Sequence, residues 1–240
     1  MKEERLDKLL AAQGTWSRRE IKDFVRRGAV TVNGKNVRTS DVKITTEDEV
    51  IVFGKRIALK KHLYLMMNKP MGVVSASRGD DCPTVVDLVP TELKRKGLFP
   101  AGRLDKDTTG FVLITDDGAF AHDILSPKRH IPKTYIATLD GVVTQQVVDA
   151  FAGGIPLKNE DQCLPARLTI LDEHTAQVVL HEGMYHQIKR MFAACGLHVE
   201  KLHRIAMGAM LLDETLAEGQ CRELTARELE LVQDRNGLEE

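Results

Sequence analysis

From position 102 to 118 the chain runs Gly-Arg-Leu-Asp-Lys-Asp-Thr-Thr-Gly-Phe-Val-Leu-Ile-Thr-Asp-Asp-Gly. Charged and hydroxyl residues fill the space between Gly102 and Gly110, and an apolar run rich in β-branched side chains follows at once. Glycine adopts backbone angles that other residues resist, so the bracketed segment reads as a tight loop. Residues 111–114 read as a strand ended by the Asp116-Asp117-Gly118 turn. Loops held by rigid strands are where function concentrates. Asp105 is therefore expected at a sheet edge, in a fixed position.

Several chemistries compete for this loop. In an EF-hand register Asp105, Asp107 and Thr109 take the first, third and fifth positions, Gly110 the sixth and Asp116 the twelfth. That motif needs a helix on both sides. Pro100 and Gly102 disfavour one before the loop, a strand follows it, and Asp116 stands where the longer bidentate Glu belongs. Asp105-x-Asp107-x-Thr109 also resembles the nucleophile box of haloacid-dehalogenase-type phosphatases. That box follows a continuous apolar strand, and Pro100-Ala-Gly-Arg-Leu104 is not one. The plainest reading is a polar turn whose aspartates satisfy backbone N–H groups. For an isolated Asp it would be preferred; the motifs elsewhere in the chain overturn it.

A length of 240 residues allows one large domain or two unequal ones, and 42% hydrophobic residues suffice for a packed core. No stretch approaches the roughly 20 apolar residues of a membrane span. The start, Met-Lys-Glu-Glu-Arg, lacks the apolar region of a signal peptide. Cys82, Cys163, Cys195 and Cys221 are widely spaced, with no zinc pattern. A cytoplasmic protein with reduced cysteines, no metal and no membrane partner is expected. The net charge of −1 speaks against a polyanion partner only if the charge is even, and it is not. Residues 18–43 hold eight basic and three acidic residues, whereas nine acidic and three basic residues follow from Asp213 onward. The local field of the basic segment is what a nucleic acid meets.

Residues 5–12 carry Leu6, Leu9 and Leu10 at helical spacing. Ser17-x-x-Glu20 is a capping box opening a second helix to about Arg27. Around that helix Ile21, Phe24 and Val25 share one arc, and Arg18, Arg19, Lys22 and Arg26 another. A hairpin over residues 30–37 turns at Asn33-Gly34, and residues 49–53 supply a third strand. Residues 54–61 read as a connector. Strands follow over 63–67, 133–139 and 177–180, with helices over 119–125 and 144–152 and a short helix starting at Thr84. Tyr135 faces one side of its strand, Thr134 and Ile136 the other. Leu224, Leu229, Leu231 and Val232 suit a docked terminal helix. His186 has no second ligand at metal spacing and is expected to be structural or to face RNA.

Gly102-Arg103-Leu104-Asp105-x-x-Thr108-Thr109-Gly110 resembles the signature of the RNA pseudouridine synthases, in the ribosomal branch typified by RsuA, RluB, RluE and RluF. Asn68-Lys69-Pro70-x-Gly72, Lys133-x-Tyr135 and the segment from Glu182 to Phe192 resemble its further motifs, in the right order. Residues 1–56 resemble the S4-type RNA-binding domain. The implied fold is α+β: an S4-like domain (1–56), a linker (57–61), and a catalytic domain (62–235) with a mixed, mainly antiparallel sheet flanked by helices.

The resemblance implies isomerisation of uridine to pseudouridine in ribosomal RNA, which moves no electrons to or from an outside group and implies no cofactor. Asp105 is the implied catalytic carboxylate, acting at the ribose either by attack at C1′ or by removing a 2′ proton. Arg103 would fill the space left by the extruded base, Tyr135 would lie against the uracil, and Lys189 would pair with Asp105. Arg18, Arg19, Lys22, Arg26 and Lys35 would contact phosphates. The compact first module and Lys189-Arg-Met-Phe-Ala-Ala look most like the small-subunit branch. The large-subunit RNA is the alternative target, and an idle RNA-binding or assembly factor the alternative class. A monomer meeting ribosomal RNA, free or within a subunit precursor, is expected.

Overall fold

The computed structural model describes residues 3–79, 81–126, 129, 131–157 and 162–238. The chain divides into two units, Met1–Leu63 with Val89–Leu98 and Tyr64–Leu88 with Phe99–Glu240.

In the first unit β1 (Glu4–Arg5) runs into α1 (Leu6–Ala12), and α2 (Arg18–Arg26) follows. The capping box is complete: Glu20 N–H donates to Ser17 Oγ at 3.3 Å, and Ser17 N–H to Glu20 Oε2 at 2.7 Å. Ile21 and Val25 are buried while Arg18, Arg19, Lys22 and Arg26 stay exposed, the two arcs that the helical spacing predicts. β2 (Val30–Val32) and β3 (Lys35–Asn36) form the hairpin, with Asn33 at φ 49° and Gly34 at φ 75°. β4 (Lys43–Ile44) pairs with β1, and β5 (Val50–Val52) with β2.

A further strand, β6 (Lys55–Ile57), pairs with β5, in residues that read as a connector. Its turn is Phe53-Gly54, with Phe53 at φ 49° where Asn is the usual signal. Gln13 and Lys60 exchange hydrogen bonds of 3.1 Å, one in each direction. Val89–Leu98, which by position falls inside the expected 62–235 domain, groups with this unit. Arg95 there donates to the Ala12 carbonyl and, at 3.0 Å, to the Lys60 carbonyl.

The second unit is a large sheet with helices. Its elements are β7 (Tyr64–Lys69), β8 (Phe99–Ala101), β9 (Thr109–Thr115), α3 (Gly118–Leu125), β10 (Lys133–Leu139), α4 (Gln145–Gly153) and β11 (Arg167–Asp172). Then come β12 (Thr175–Leu180), α5 (Gln187–Ala194), β13 (Val199–Met207), β14 (Met210–Leu211), β15 (Cys221–Glu223) and α6 (Ala226–Val232). Among the described residues nine strands pair in the order β11-β12-β10-β13-β9-β7-β15, with β14 on β13 and β8 on β9. Only β9 with β13 is parallel, so the sheet is mixed and mainly antiparallel, as expected. Phe111, Leu113, Ile124, Met207 and Val232 meet in one core, which includes the docked α6. Residues 84–88 make a single turn and no helix. Thr84 Oγ1 donates to Asp87 Oδ2 at 2.8 Å and accepts from Asp87 N–H at 3.2 Å, closing the turn on itself.

Candidate active site

Where β9 and β13 run side by side, Thr109 lies opposite His203 and Gly110 opposite Arg204. Gly110 has φ 101°, and a Cβ there would overlap the Arg204 backbone. Glycine alone lets the strands meet while the preceding loop turns away.

That loop is clamped on both sides of Asp105. Ser75 Oγ donates to Leu104 O at 2.9 Å and accepts from Leu104 N–H at 3.0 Å. Lys69, fully buried on β7, donates to Thr108 O at 2.7 Å, Pro70 O at 3.0 Å and Lys106 O at 3.4 Å. Gly72 N–H donates to Lys106 O at 2.8 Å. The Asn68-Lys69-Pro70-x-Gly72 motif thus has a physical task, holding carbonyls of the Asp105 loop. Burial pushes the Lys69 ammonium down to about 8, against the pull of Asp107 and Asp105.

Asp105, Arg103, Tyr135 and Lys189 line one cavity of about 910 Å³. That volume suits a nucleotide-sized guest, since small-molecule sites run to about 300–1,000 Å³. Lys189, on the first turn of α5, places Nζ 3.5 Å from Asp105 Oδ2 and 2.5 Å from Asp107 Oδ1. The Lys189 hydrogen bond holds the Asp107 carboxyl below the usual carboxylate range. Strands β8 and β9, not the helices of an EF-hand, flank this loop. Among the described residues no cluster of three or more His, Cys, Asp or Glu side chains is arranged for a metal.

The segment leading into α5 is pinned by Gln187. Its side chain donates to Glu182 Oε1 at 2.5 Å and accepts from Met184 N–H at 2.9 Å. This sets His186 in the left-handed region (φ 49°, ψ 34°), stacked on the exposed Tyr185 ring at 3.8 Å. His186 Nε2 comes 3.4 Å from Asp105 Oδ1, so it belongs to the site and is more than a structural residue. Its role depends on an unusual backbone conformation that the sequence does not announce.

Tyr135 is 8% exposed and lies opposite Arg204 in the β10–β13 register. Arg204 is buried at 1% exposure, donates from Nε to Phe111 O at 2.7 Å, and places its guanidinium 5.9 Å from the Tyr135 ring centre. Sequence reasoning passes over Arg204, although a basic residue inside the apolar alternation of residues 202–207 is the signal that could have found it. The basic residues Arg18, Arg19, Lys22, Arg26 and Lys35 are exposed on the first unit.

A carboxylate flanked by an ammonium and an imidazole thus shares one cavity with an aromatic ring. The RNA pseudouridylate synthase model matches residues 63–194, and the S4 domain model matches residues 4–50. The chain is 42% identical over 231 residues to ribosomal small subunit pseudouridine synthase A of Escherichia coli, covering 95% of this chain and 99% of that one. It is 43% identical over 237 residues to the Bacillus subtilis RNA pseudouridine synthase YtzG, covering 96% and 98%, a protein itself described as uncharacterized. A crystal structure of a pseudouridylate synthase superposes with a TM-score of 0.67 at 41% identity, covering 95% of this chain and 99% of that one. The chain belongs to the RNA pseudouridylate synthase family.

Proposed function

We propose that this enzyme isomerises a uridine of small-subunit ribosomal RNA, with Asp105 acting at the ribose of a nucleotide turned out of its stack. The observation that carries the site assignment is the 3.5 Å approach of Lys189 to Asp105, in a cavity that Tyr135 and Arg103 also line. The RNA target is supported by the near-full-length likeness to the small-subunit synthases.

The N1–C1′ bond must break, the base must turn, and C5 must bond to C1′. Asp105 answers the first demand as a carboxylate within reach of an anomeric carbon. Tyr135 offers the detached base a ring face, a contact worth about 1–3 kcal/mol. Arg103, exposed beside Asp105, fills the gap in the RNA, which offsets part of the few kcal/mol that extrusion costs. The basic face of α2 adds phosphate contacts that set affinity without choosing sequence. On this proposal the enzyme acts as a monomer in the cytoplasm, on ribosomal RNA free or within a subunit precursor.

The test is tritium release from 5-labelled uridine in small-subunit RNA, with wild type and Asp105→Asn. Wild type should release tritium at one position and the variant should bind RNA normally without turnover. Substantial turnover by Asp105→Asn rejects the assignment of Asp105, and release only from large-subunit RNA rejects the assignment of the target.

A further inference from the structure

Arg204 and Lys133 are two cations on one face of the sheet. Tyr135 stands opposite Arg204 across the β10–β13 pair, and Lys133, two residues before Tyr135, points to the same side. All three line the cavity that holds Asp105. The register of β13 slips at this point, between its partners for Thr134 and Tyr135, the kind of irregularity that re-aims a side chain at a site.

Among the described residues neither cation has a carboxylate partner. Arg204 uses Nε on Phe111 O at 2.7 Å and reaches Tyr135 OH from Nη1 only at 3.5 Å. Its Nη2 is buried without any hydrogen-bond partner. Lys133 Nζ donates to a single carbonyl, Ile131 O, at 3.1 Å. Burial and the neighbouring guanidinium lower the Lys133 ammonium to about 8. Two like charges held together with an open N–H are costly unless something anionic arrives to meet them. The acidic groups of the cavity are engaged elsewhere: Asp105 and Asp107 lie against Lys189, and Glu182 accepts from Gln187 and from Leu164 N–H.

We propose that Lys133 and Arg204 form the subsite that grips the carbonyl oxygens of the detached uracil and carries its negative charge while the base turns. This rests on the uridine-isomerising reading above. When the N1–C1′ bond breaks its electron pair stays on the base, giving a uracil anion with charge shared among N1, O2 and O4. C5 then bonds to C1′, the C5 proton leaves to solvent and N1 takes up one proton, so the balance of an isomerisation is kept. Fixed cations facing the carbonyl oxygens hold the anion through the turn, with no reorganisation at the moment of cleavage. Cytosine would present an amino donor in place of the O4 acceptor and meet like charge, so the subsite also selects uracil.

A backbone phosphate is the other anion an RNA brings, and the two sources are separable. The experiment is single-turnover conversion of small-subunit RNA by wild type, Lys133→Met, Lys133→Arg and Arg204→Lys, with RNA affinity and its salt dependence measured alongside. Lys133→Met is expected to lose about 100-fold in rate with affinity and salt slope unchanged, and Lys133→Arg to recover most of that loss. An RNA carrying 5-fluorouridine at the target has a ring that bears negative charge more easily but no C5 proton to release, so loss of the starting nucleotide is the readout on it. There the loss by Lys133→Met should shrink several-fold. Equal losses on both RNAs would overturn the proposal, since a merely structural lysine does not sense the leaving group. A loss of affinity with a flatter salt slope would also overturn it, in favour of a phosphate contact. Inactive wild type on uridine RNA would instead count against the parent reading, and circular dichroism of each variant separates misfolding from either.

Discussion

Lys189 makes its shortest contact with Asp107, at 2.5 Å. The ammonium therefore approaches Asp105, at 3.5 Å, from a position that a neighbouring carboxylate holds. Asp107 acts as a positioning residue for the cation. Removing it should leave Lys189 free to wander, whereas removing Lys189 takes the charge away altogether. Asp107→Ala is expected to lower kcat on the order of 10-fold and Lys189→Met on the order of 100-fold, within the range of removing one electrostatic partner of a reacting group. Lys189→Arg should stay near wild type, because a guanidinium can fork to both carboxylates. Steady-state kinetics with KM resolved from kcat decides the point, and a larger loss for Asp107→Ala than for Lys189→Met would contradict it.

Lys69 gives a second prediction. Pro70 O and two carbonyls of the Asp105 loop, Lys106 O and Thr108 O, share its buried ammonium. Lys69→Met would take this donor from Pro70 O and Thr108 O, while Lys106 O keeps the Gly72 N–H, a cost of about 1–3 kcal/mol for each buried group left unsatisfied. Urea unfolding should register destabilisation of at least that size. Activity should fall further than stability explains, since a loop displaced by about 1 Å can cost on the order of 100-fold in rate. A stable Lys69→Met protein with full activity would show that the clamp is dispensable.

Local signals made much of this legible. Ser17 and Glu20 mark α2, Asn33-Gly34 marks its hairpin, and the glycines around Asp105 mark the loop, because each depends on neighbours a few residues away. What escaped depends on distant partners or on a backbone state. The β5–β6 hairpin turns on Phe53, a residue that carries no turn signal, and residues 84–88 stop at one turn although Thr84 and Asp87 exchange the reciprocal bonds of a helix start. His186 enters the site only because the chain is left-handed there. Arg204 matters because β13 lies beside β9 and β10, which no spacing in the sequence specifies.

Lys133 should be visible in the alkaline stability of the protein. Burial lowers its folded-state pKa from the ordinary 10.5 to about 8. Between those values the unfolded chain binds more protons than the folded one, so this group makes stability rise with pH across that window. Lys69, lowered to about 8 as well, contributes in the same sense and remains in a Lys133→Met variant. The stability difference between wild type and Lys133→Met should therefore move in favour of wild type from pH 8 to pH 10.5 and stay flat below about pH 7. Urea midpoints at several pH values measure it, and a flat difference throughout would mean that Lys133 is charged and solvated in the folded state.

Arg103 is exposed beside Asp105 in the same cavity lining. If it occupies the gap left by an extruded base, its worth depends on there being a stack to repair. Arg103→Ala should then slow single-turnover conversion more on folded RNA than on an unstructured strand, where extrusion costs little. Equal losses on the two substrates would assign Arg103 to general electrostatics.

The exposed basic arc of α2 makes a separate claim about binding. Arg18, Arg19 and Lys22 lie on the solvent side, away from the buried Ile21 and Val25. Each phosphate they neutralise releases counterions, so log K falls against log salt with a slope of about −0.7 per contact on single strands and −0.9 on duplex. Replacing all three by Ala should flatten that slope by about two to three and weaken binding at low salt most. If, as proposed, these side chains meet only phosphates, the single-turnover rate at saturating RNA should stay within about 2-fold of wild type. Filter binding across a salt series supplies the slope, and an unchanged slope would remove α2 from the RNA contacts while leaving the chemistry at Asp105 as argued.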